Sequence, residues 1–450
     1  MIQDRTVHQP RRTIPSAFSI SIFFVFGLLY LYNKNEYNIL LKYAGISPYN
    51  HPFIDSEFMY AMKKCWLAGV NVYQAVPCDV VPGNKMAYSP LWPRLPFLPS
   101  DNRSTVVIAV ATNLLLLGSI SVFSNLRRFV DIFVLCTASI STMVIFAIER
   151  NNIDVWIFDG LFLSMLLIQR SGILKAAGYG LMTAAMLLKY YPAILFAVAL
   201  KERPRTLLLI TLAAASALAG FAAVFWSEIA QELHNIPGGS PFNDAVGLEN
   251  GPRFAVMLIT GKTADEAGGS SALGLAQRAL LAAGIVTVAA VRARQPALQR
   301  ALRAMGRRQA LWLVFGCIVM GGCYAVGQSV GYRGIYLLPV VAGFLALARR
   351  SADAACGTSA FITACLCVAA MWAEGLRTSL PAAMRALHLG DALVLQMQVA
   401  TWVGRELVWI VIETAMASVV FAWMAQTANA RLLLRRLRRA FRSGGAPQRS

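Results

Sequence analysis

The chain has 450 residues, of which 57% are hydrophobic and 14% charged, with a formal net charge of +19. A soluble domain carries about a quarter charged residues, so this composition, with a mean hydropathy of +0.56, excludes an ordinary soluble protein. The apolar residues fall in blocks of roughly 15–22, the length that crosses a bilayer core, and the expected fold is an all-α polytopic membrane protein.

The blocks lie near 14–32, 105–124, 129–148, 155–169, 172–188, 191–200, 206–226, 271–291, 310–330, 335–348, 355–373 and 406–426. The first follows Arg5, Arg11 and Arg12 and reads as an uncleaved span, because no small-residue cleavage site follows it. Basic punctuation comes after every second block: Arg127 and Arg128, Arg170, Lys201 with Arg203 and Arg205, the stretch 292–309, Arg349 and Arg350, and the tail. The stretch 292–309 holds six Arg and no acid, and the last twenty residues hold seven Arg and no acid. Short Arg-rich loops beside apolar spans mark the cytoplasmic side. This predicts about twelve transmembrane helices with both termini cytoplasmic: one integral membrane domain over 1–426 and a basic tail over 427–450. The charge is thus explained by topology and by contact with anionic membrane lipids, and nucleic acid is not an expected partner. Arg170 and Lys201 both belong inside, yet two full spans between them would need about forty residues. Residues 171–200 are therefore expected to form a short or re-entrant hairpin with "KYYP" at its outer apex.

Two outer loops follow, 33–104 and 227–270, with short turns at 149–154, 189–192, 331–334 and about 374–400. In the first, "HPFIDSEFMYAMKKCWLAGVNVYQ" (51–74) places Phe58, Met59, Met62, Trp66 and Gly69 on one helical face, with Lys63 and Lys64 opposite. That pattern predicts an amphipathic helix lying along the membrane surface. Asp55 at its start has two readings. It caps the helix by accepting hydrogen bonds from the first free amides, or it is a general base facing a cavity. Glu57, two residues on, does not share its face, which weakens a metal site. Cys65 and Cys78 share this loop, where a disulfide is chemically permitted; no CxxC pair suggests a metal centre, and no metal or cofactor is expected. The Pro- and aromatic-rich segment that follows, ending in "YSPLWPRLPFLPS", could floor a cavity. The second loop holds Glu228, Glu232, Asp244 and Glu249 against Arg253 up to residue 253.

The remaining polar residues gather on the outer side. The turn "ERNNID" packs Glu149, Arg150, Asn151, Asn152 and Asp154 between two spans. It is either a hydrated turn with a snorkelling cation or a site where amides and carboxylates meet sugar hydroxyls and Arg grips a phosphate. In "LLKYYPAILF", Lys189 is either an interfacial anchor with Tyr190 and Tyr191 as belt aromatics or a phosphate-binding cation where Pro192 breaks the helix. In "GYRGIYLLP", Arg333 lies between glycines that let the backbone approach a ligand. Three cations at one membrane depth favour an anionic headgroup. Arg278 and Glu413 are charges inside spans, where burial is costly, and could form a structural pair.

Taken in order, the Asp55 loop with its "YSPLW" segment, the "ERNNID" turn, "LLKYYPAILF" and "YRGIYLLP" resemble glycosyltransferase family 87. These are polyprenol-phosphate-mannose-dependent membrane mannosyltransferases of the C-type glycosyltransferase superfamily. The resemblance covers roughly residues 50–340 and rests on motif order, each motif being short. It implies a lipid-linked donor at the outer face of a bacterial inner membrane and a catalytic aspartate in the first outer loop, matched by Asp55. Glu149, Arg150 and Asn152 match the family's turn, Lys189 its LKxYP element and Arg333 its YR element. "SVGYRG" departs from relatives, which carry more polar residues before the arginine. The expected function is transfer of a sugar, a hexose such as mannose, from polyprenyl phosphate to a lipid- or glycan-linked acceptor by inverting single displacement. Asp55 is the expected base and Arg150, Lys189 and Arg333 the donor-phosphate cations. Glu57, Glu149, Asn152, Asp154 and Tyr191 are the expected sugar or acceptor contacts. The chemistry is self-consistent: the leaving phosphate needs positive charge rather than an acid, and the acceptor hydroxyl needs a base. The alternatives are a transporter or flippase of a lipid-linked or anionic substrate, and a polymerase or ligase using pyrophosphate-linked donors.

Overall fold

The computed structural model describes residues 10–49, 51–79, 81, 83–123, 126, 128–236, 245–261 and 272–432. Arg127, Asp244 and nearly all of the basic tail lie outside them. The chain is a bundle of helices: α1 (Pro10–Tyr32), α2 (Lys34–Tyr43), α3 (Ile54–Leu67), α4 (Thr105–Phe123), α5 (Phe129–Ser139), α6 (Thr142–Arg150), α7 (Ile153–Leu167) and α8 (Gly172–Leu188) come first. After a 3-10 segment over Tyr191–Lys201 come α9 (Pro204–Asn235), α10 (Asn250–Thr260), α11 (Ala272–Ala293), α12 (Pro296–Ala304) and α13 (Arg307–Val326). A second 3-10 segment, Gly331–Tyr336, leads into α14 (Leu337–Arg350), α15 (Ala354–Ala386) and α16 (Asp391–Gln426). The strand pair among the described residues is β1 (Ala245–Val246) against β2 (Ser329–Val330), antiparallel, tying the segment before α10 to the Arg333 segment.

Eight of these helices, α1, α4, α9, α11, α13, α14, α15 and α16, are long and apolar enough to cross a membrane, counting the short segments that lead into α4 and α14. The pair α5–α6, bent by 44°, makes a ninth if it forms one span. This is a membrane protein by length and composition of its helices. The other three apolar blocks fold as α7, α8 and the first 3-10 segment, all shorter. At the centre lie α13 and α14, buried along most of their length because they are apolar on nearly all sides between their basic ends. A Cβ at Gly343 would sit 2.5 Å from Leu313 Cβ, so glycine sets how closely these two helices approach. The C-terminal end of α14 is pinned to the start of α5 by Arg349, whose Nε donates to both oxygens of the buried Asp131 at 3.2 and 3.0 Å.

Several loop expectations change. Two helices overrun their apolar cores: α9 continues to Asn235 across a kink at Phe225 (φ −115°, ψ 18°), and α15 reaches Ala386. The turn expected near 374–400 shrinks to four residues, 387–390, where His388 takes a positive φ of 57°. Arg278 pairs with Glu249 at 2.9 Å, not with Glu413. Cys65 and Cys78 form a disulfide, which resolves the question the sequence left open.

Candidate functional site

The helix predicted at 51–74 exists as α3, but it is not a surface-lying helix with both lysines outward. Lys64 is exposed, whereas Lys63 is buried and donates from Nζ to the carbonyls of Leu95 (2.5 Å) and Leu98 (2.6 Å). Met59, Tyr60, Met62 and Cys65 pack into the core beneath the loop that follows. The capping reading of Asp55 also falls. Phe53, in a left-handed conformation (φ 69°), occupies the cap position and no side chain caps the helix. Asp55 is the second helical residue, and its Oδ2 accepts from Asn152 Nδ2 at 2.6 Å.

The turn between α6 and α7 holds α3 in this position. Asn151 takes φ 42° and is fully buried. Its Nδ2 donates to Thr112 Oγ1 (2.9 Å) and Asn113 Oδ1 (3.1 Å), and its Oδ1 accepts from Trp156 Nε1 (3.1 Å) and Ser56 Oγ (2.6 Å). A satisfied buried amide of this kind fixes one geometry. Glu149, Arg150, Asn152 and Asp154 are buried as well, so the turn is not a hydrated one. Asn152 has two tasks: Oδ1 accepts from the Asp154 amide at 3.0 Å, starting α7, while Nδ2 holds Asp55.

Asp154 is the hub. Its side chain has no solvent exposure, and Oδ2 receives Lys189 Nζ at 2.7 Å and Arg333 Nε at 3.5 Å. Tyr191 donates from its hydroxyl to Oδ1 at 2.7 Å and lies 2.7 Å from the Tyr336 hydroxyl. Lys189 ends α8 and Arg333 lies in the second 3-10 segment, so three separate elements converge on one carboxylate. Lys189 and Tyr191 are therefore not belt residues; Tyr190 likewise bonds Glu232 Oε2 at 2.5 Å. Gly334 lies so close to Met143 that a Cβ would collide with it, which seats the Arg333 turn against α6. Arg333 Nη1 donates to Ser329 Oγ at 2.6 Å, beside the strand pair. Aromatic rings wall the cluster: Lys189 Nζ lies 5.4 Å from the Tyr88 ring and 5.8 Å from that of Tyr332, and Arg333 Cζ lies 4.9 Å from Tyr191. The two cations keep 11% and 19% of side-chain exposure, against none for Asp154. The part of this ion cluster open to solvent is therefore cationic.

Asp55 stands beside this cluster, partly exposed. Burial pushes its carboxyl above the usual carboxylate range, while the Asn152 hydrogen bond and the charges of Arg150 and Lys189 oppose the rise and Asp154 adds to it. A carboxylate of raised proton affinity is a better base than an ordinary one.

Three expected members are elsewhere. Glu57 turns to His51, 3.5 Å away, around the helix from Asp55. Arg150 is committed: Nε lies 3.1 Å from Glu149 Oε2, Nη2 donates to the Ser47 carbonyl at 2.7 Å, and the guanidinium lies 4.0 Å from the Tyr49 ring. It influences Asp55 through space but does not share Asp154, so the cationic trio reduces to Lys189 and Arg333. Glu149, bound to Arg150, lines the end of a mainly apolar cleft walled by Phe23, Phe26 and Ile145. Sequence reasoning missed Tyr88, Ser329, Tyr332 and Tyr336; "YSPLW" and "YRGIY" signalled the tyrosines only as aromatics.

Fold and site together define a polytopic membrane protein with a buried carboxylate gathering two cations at one end of its bundle. Compared with known proteins, the chain matches no family model, no curated protein and no solved structure.

Proposed function

We propose that the protein is a membrane glycosyltransferase. It moves a sugar, a hexose such as mannose, from polyprenyl phosphate to a lipid- or glycan-linked acceptor. The observation that carries this reading is the placement of Lys189 and Arg333, oriented by the closed Asp154, beside the base-like Asp55. In the reaction, the acceptor hydroxyl gives its proton to Asp55 as its oxygen bonds to the sugar C1. The bond from C1 to the phosphate oxygen breaks, and the electron pair leaves on that phosphate. The developing charge meets Lys189 and Arg333, fixed before the reaction begins. Attack opposite the leaving group inverts the anomeric centre. No general acid is required.

The motif order resembling glycosyltransferase family 87 supports the same reading. The proposed topology has twelve crossings, with α7, α8 and the first 3-10 segment as the short ones, so that residues 171–200 form a short hairpin of two crossings. It places Asp55 and Asp154 at the outer face of a bacterial inner membrane and both termini in the cytoplasm. The Cys65–Cys78 disulfide, in the same loop as Asp55, supports that side, since disulfides persist in oxidising compartments. The transporter reading draws on Asp159, whose two carboxyl oxygens are buried within α7 without hydrogen-bond partners among the described residues. Purified protein incubated with polyprenyl phosphate carrying mannose, glucose or aminoarabinose, together with a membrane lipid and glycan extract as the source of acceptor, separates the two. A transferase releases free polyprenyl phosphate; a transporter leaves every donor intact.

A further inference from the structure

At the bundle end opposite Asp154 there is a cavity of about 230 Å³ with polar lining, between α11, α12, α14, α15 and α16. Its polarity is unlike that of a packing defect. Arg292 lines it and donates from Nη2 to Ser359 Oγ at 3.0 Å; among the described residues the guanidinium has no carboxylate partner. The carboxylate at the cavity, Asp353, is engaged in starting α15, with Oδ1 accepting from the Cys356 amide at 2.7 Å. Gln295 adds an amide. Inward, the cavity reaches Thr363 and Ser418, each roughly 12–14 Å from its helix end at 1.5 Å per residue. Phe344 and Leu298 supply apolar wall. Around it, the arginines of the 292–309 stretch at 294, 300, 303, 307 and 308 are exposed.

We propose that this cavity binds an anionic phospholipid, with the phosphate on Arg292 and the glycerol and ester region running inward. Three features select a lipid over a small soluble anion. A lone cation held by a hydroxyl offers one anion a charge-assisted hydrogen bond. The cavity runs from headgroup level to hydrocarbon depth, which matches a molecule charged at one end and apolar at the other. The exposed arginines concentrate anionic lipid at this face. The site is separate from the transfer site and does not depend on it.

The test is native mass spectrometry of the full-length, detergent-purified protein titrated with phosphatidylglycerol. Wild type should retain one lipid that phosphatidylcholine does not replace. Arg292→Gln should weaken retention at least tenfold, Arg292→Lys should keep most of it, and Arg300→Gln, outside the cavity, should stay within twofold of wild type. Ser418→Leu leaves Arg292 in place but fills the inner end. It should lose the lipid too, so the proposal stands or falls even if removing the arginine unfolds the bundle. Equal retention by wild type and Ser418→Leu would overturn it. So would phosphatidylcholine binding as well as phosphatidylglycerol, or glycerol phosphate displacing the lipid at equal concentration, which would mark a soluble-anion site.

Discussion

Asp154→Asn removes the charge that holds Lys189 and Arg333 and leaves both cations without their shared acceptor. Because the Asp154 side chain is closed to solvent and meets Lys189 at 2.7 Å, the loss is that of a broken buried pair, about 3–5 kcal/mol. The longer contact to Arg333, 3.5 Å with more exposure, adds little. Removing Lys189 as well relieves the uncompensated charge, so Asp154→Asn/Lys189→Gln should be less destabilised than the two single variants sum to, by about 1–3 kcal/mol. Denaturant unfolding in detergent, followed by tryptophan fluorescence, reads the cycle. The kinetic signature is separate: Asp154→Asn should weaken donor binding by misplacing both cations, while Asp55 and the pH dependence it confers remain. Additive single and double effects would refute the hub, and so would an Asp154→Asn protein with wild-type stability and donor affinity.

Asp55→Asn should abolish transfer while donor binding persists, because Asn still offers an oxygen to Asn152. Its melting temperature should equal or exceed wild type at neutral pH: a folded carboxyl pushed up costs stability above its unfolded pKa, and the amide removes that cost. The acidic limb of the pH–kcat profile should lie above the ordinary Asp value of about 3.9, and Lys189→Gln should move it further up, since that cation opposes the rise. Arg150→Gln should lower stability and leave donor affinity within twofold, because its guanidinium is spent on Glu149, Ser47 and Tyr49. Replacing Cys65 and Cys78 by Ser should cost about 3 kcal/mol, the value for a closed loop of about 15 residues.

Hydropathy made the bundle legible, since every apolar block in the sequence overlaps a helix or a 3-10 segment. What it could not mark was where helices stop outside the apolar core. The run 374–386 has no glycine after Gly375 and continues α15 through Pro381. Lys63 looked solvent-facing because helical spacing is blind to the later loop whose carbonyls cover it. Asp55 and the "ERNNID" turn stood out by residue type, but their partnership depends on Asn151, whose contacts come from positions 56, 112, 113 and 156. The Asp154 hub joins residues up to 179 positions apart. Charge at a common membrane depth suggested Arg150 as a third cation; only the geometry separates a cation on Glu149 from two on Asp154.

The most direct measurement is a single turnover with donor labelled in the sugar, on wild type and Asp55→Asn in parallel. The account predicts that wild type passes the label to acceptor with one polyprenyl phosphate released per transfer and inversion at the anomeric carbon, while Asp55→Asn binds the donor and leaves it whole. Cleavage by Asp55→Asn at the wild-type rate, or label that crosses a membrane on intact donor, would contradict it.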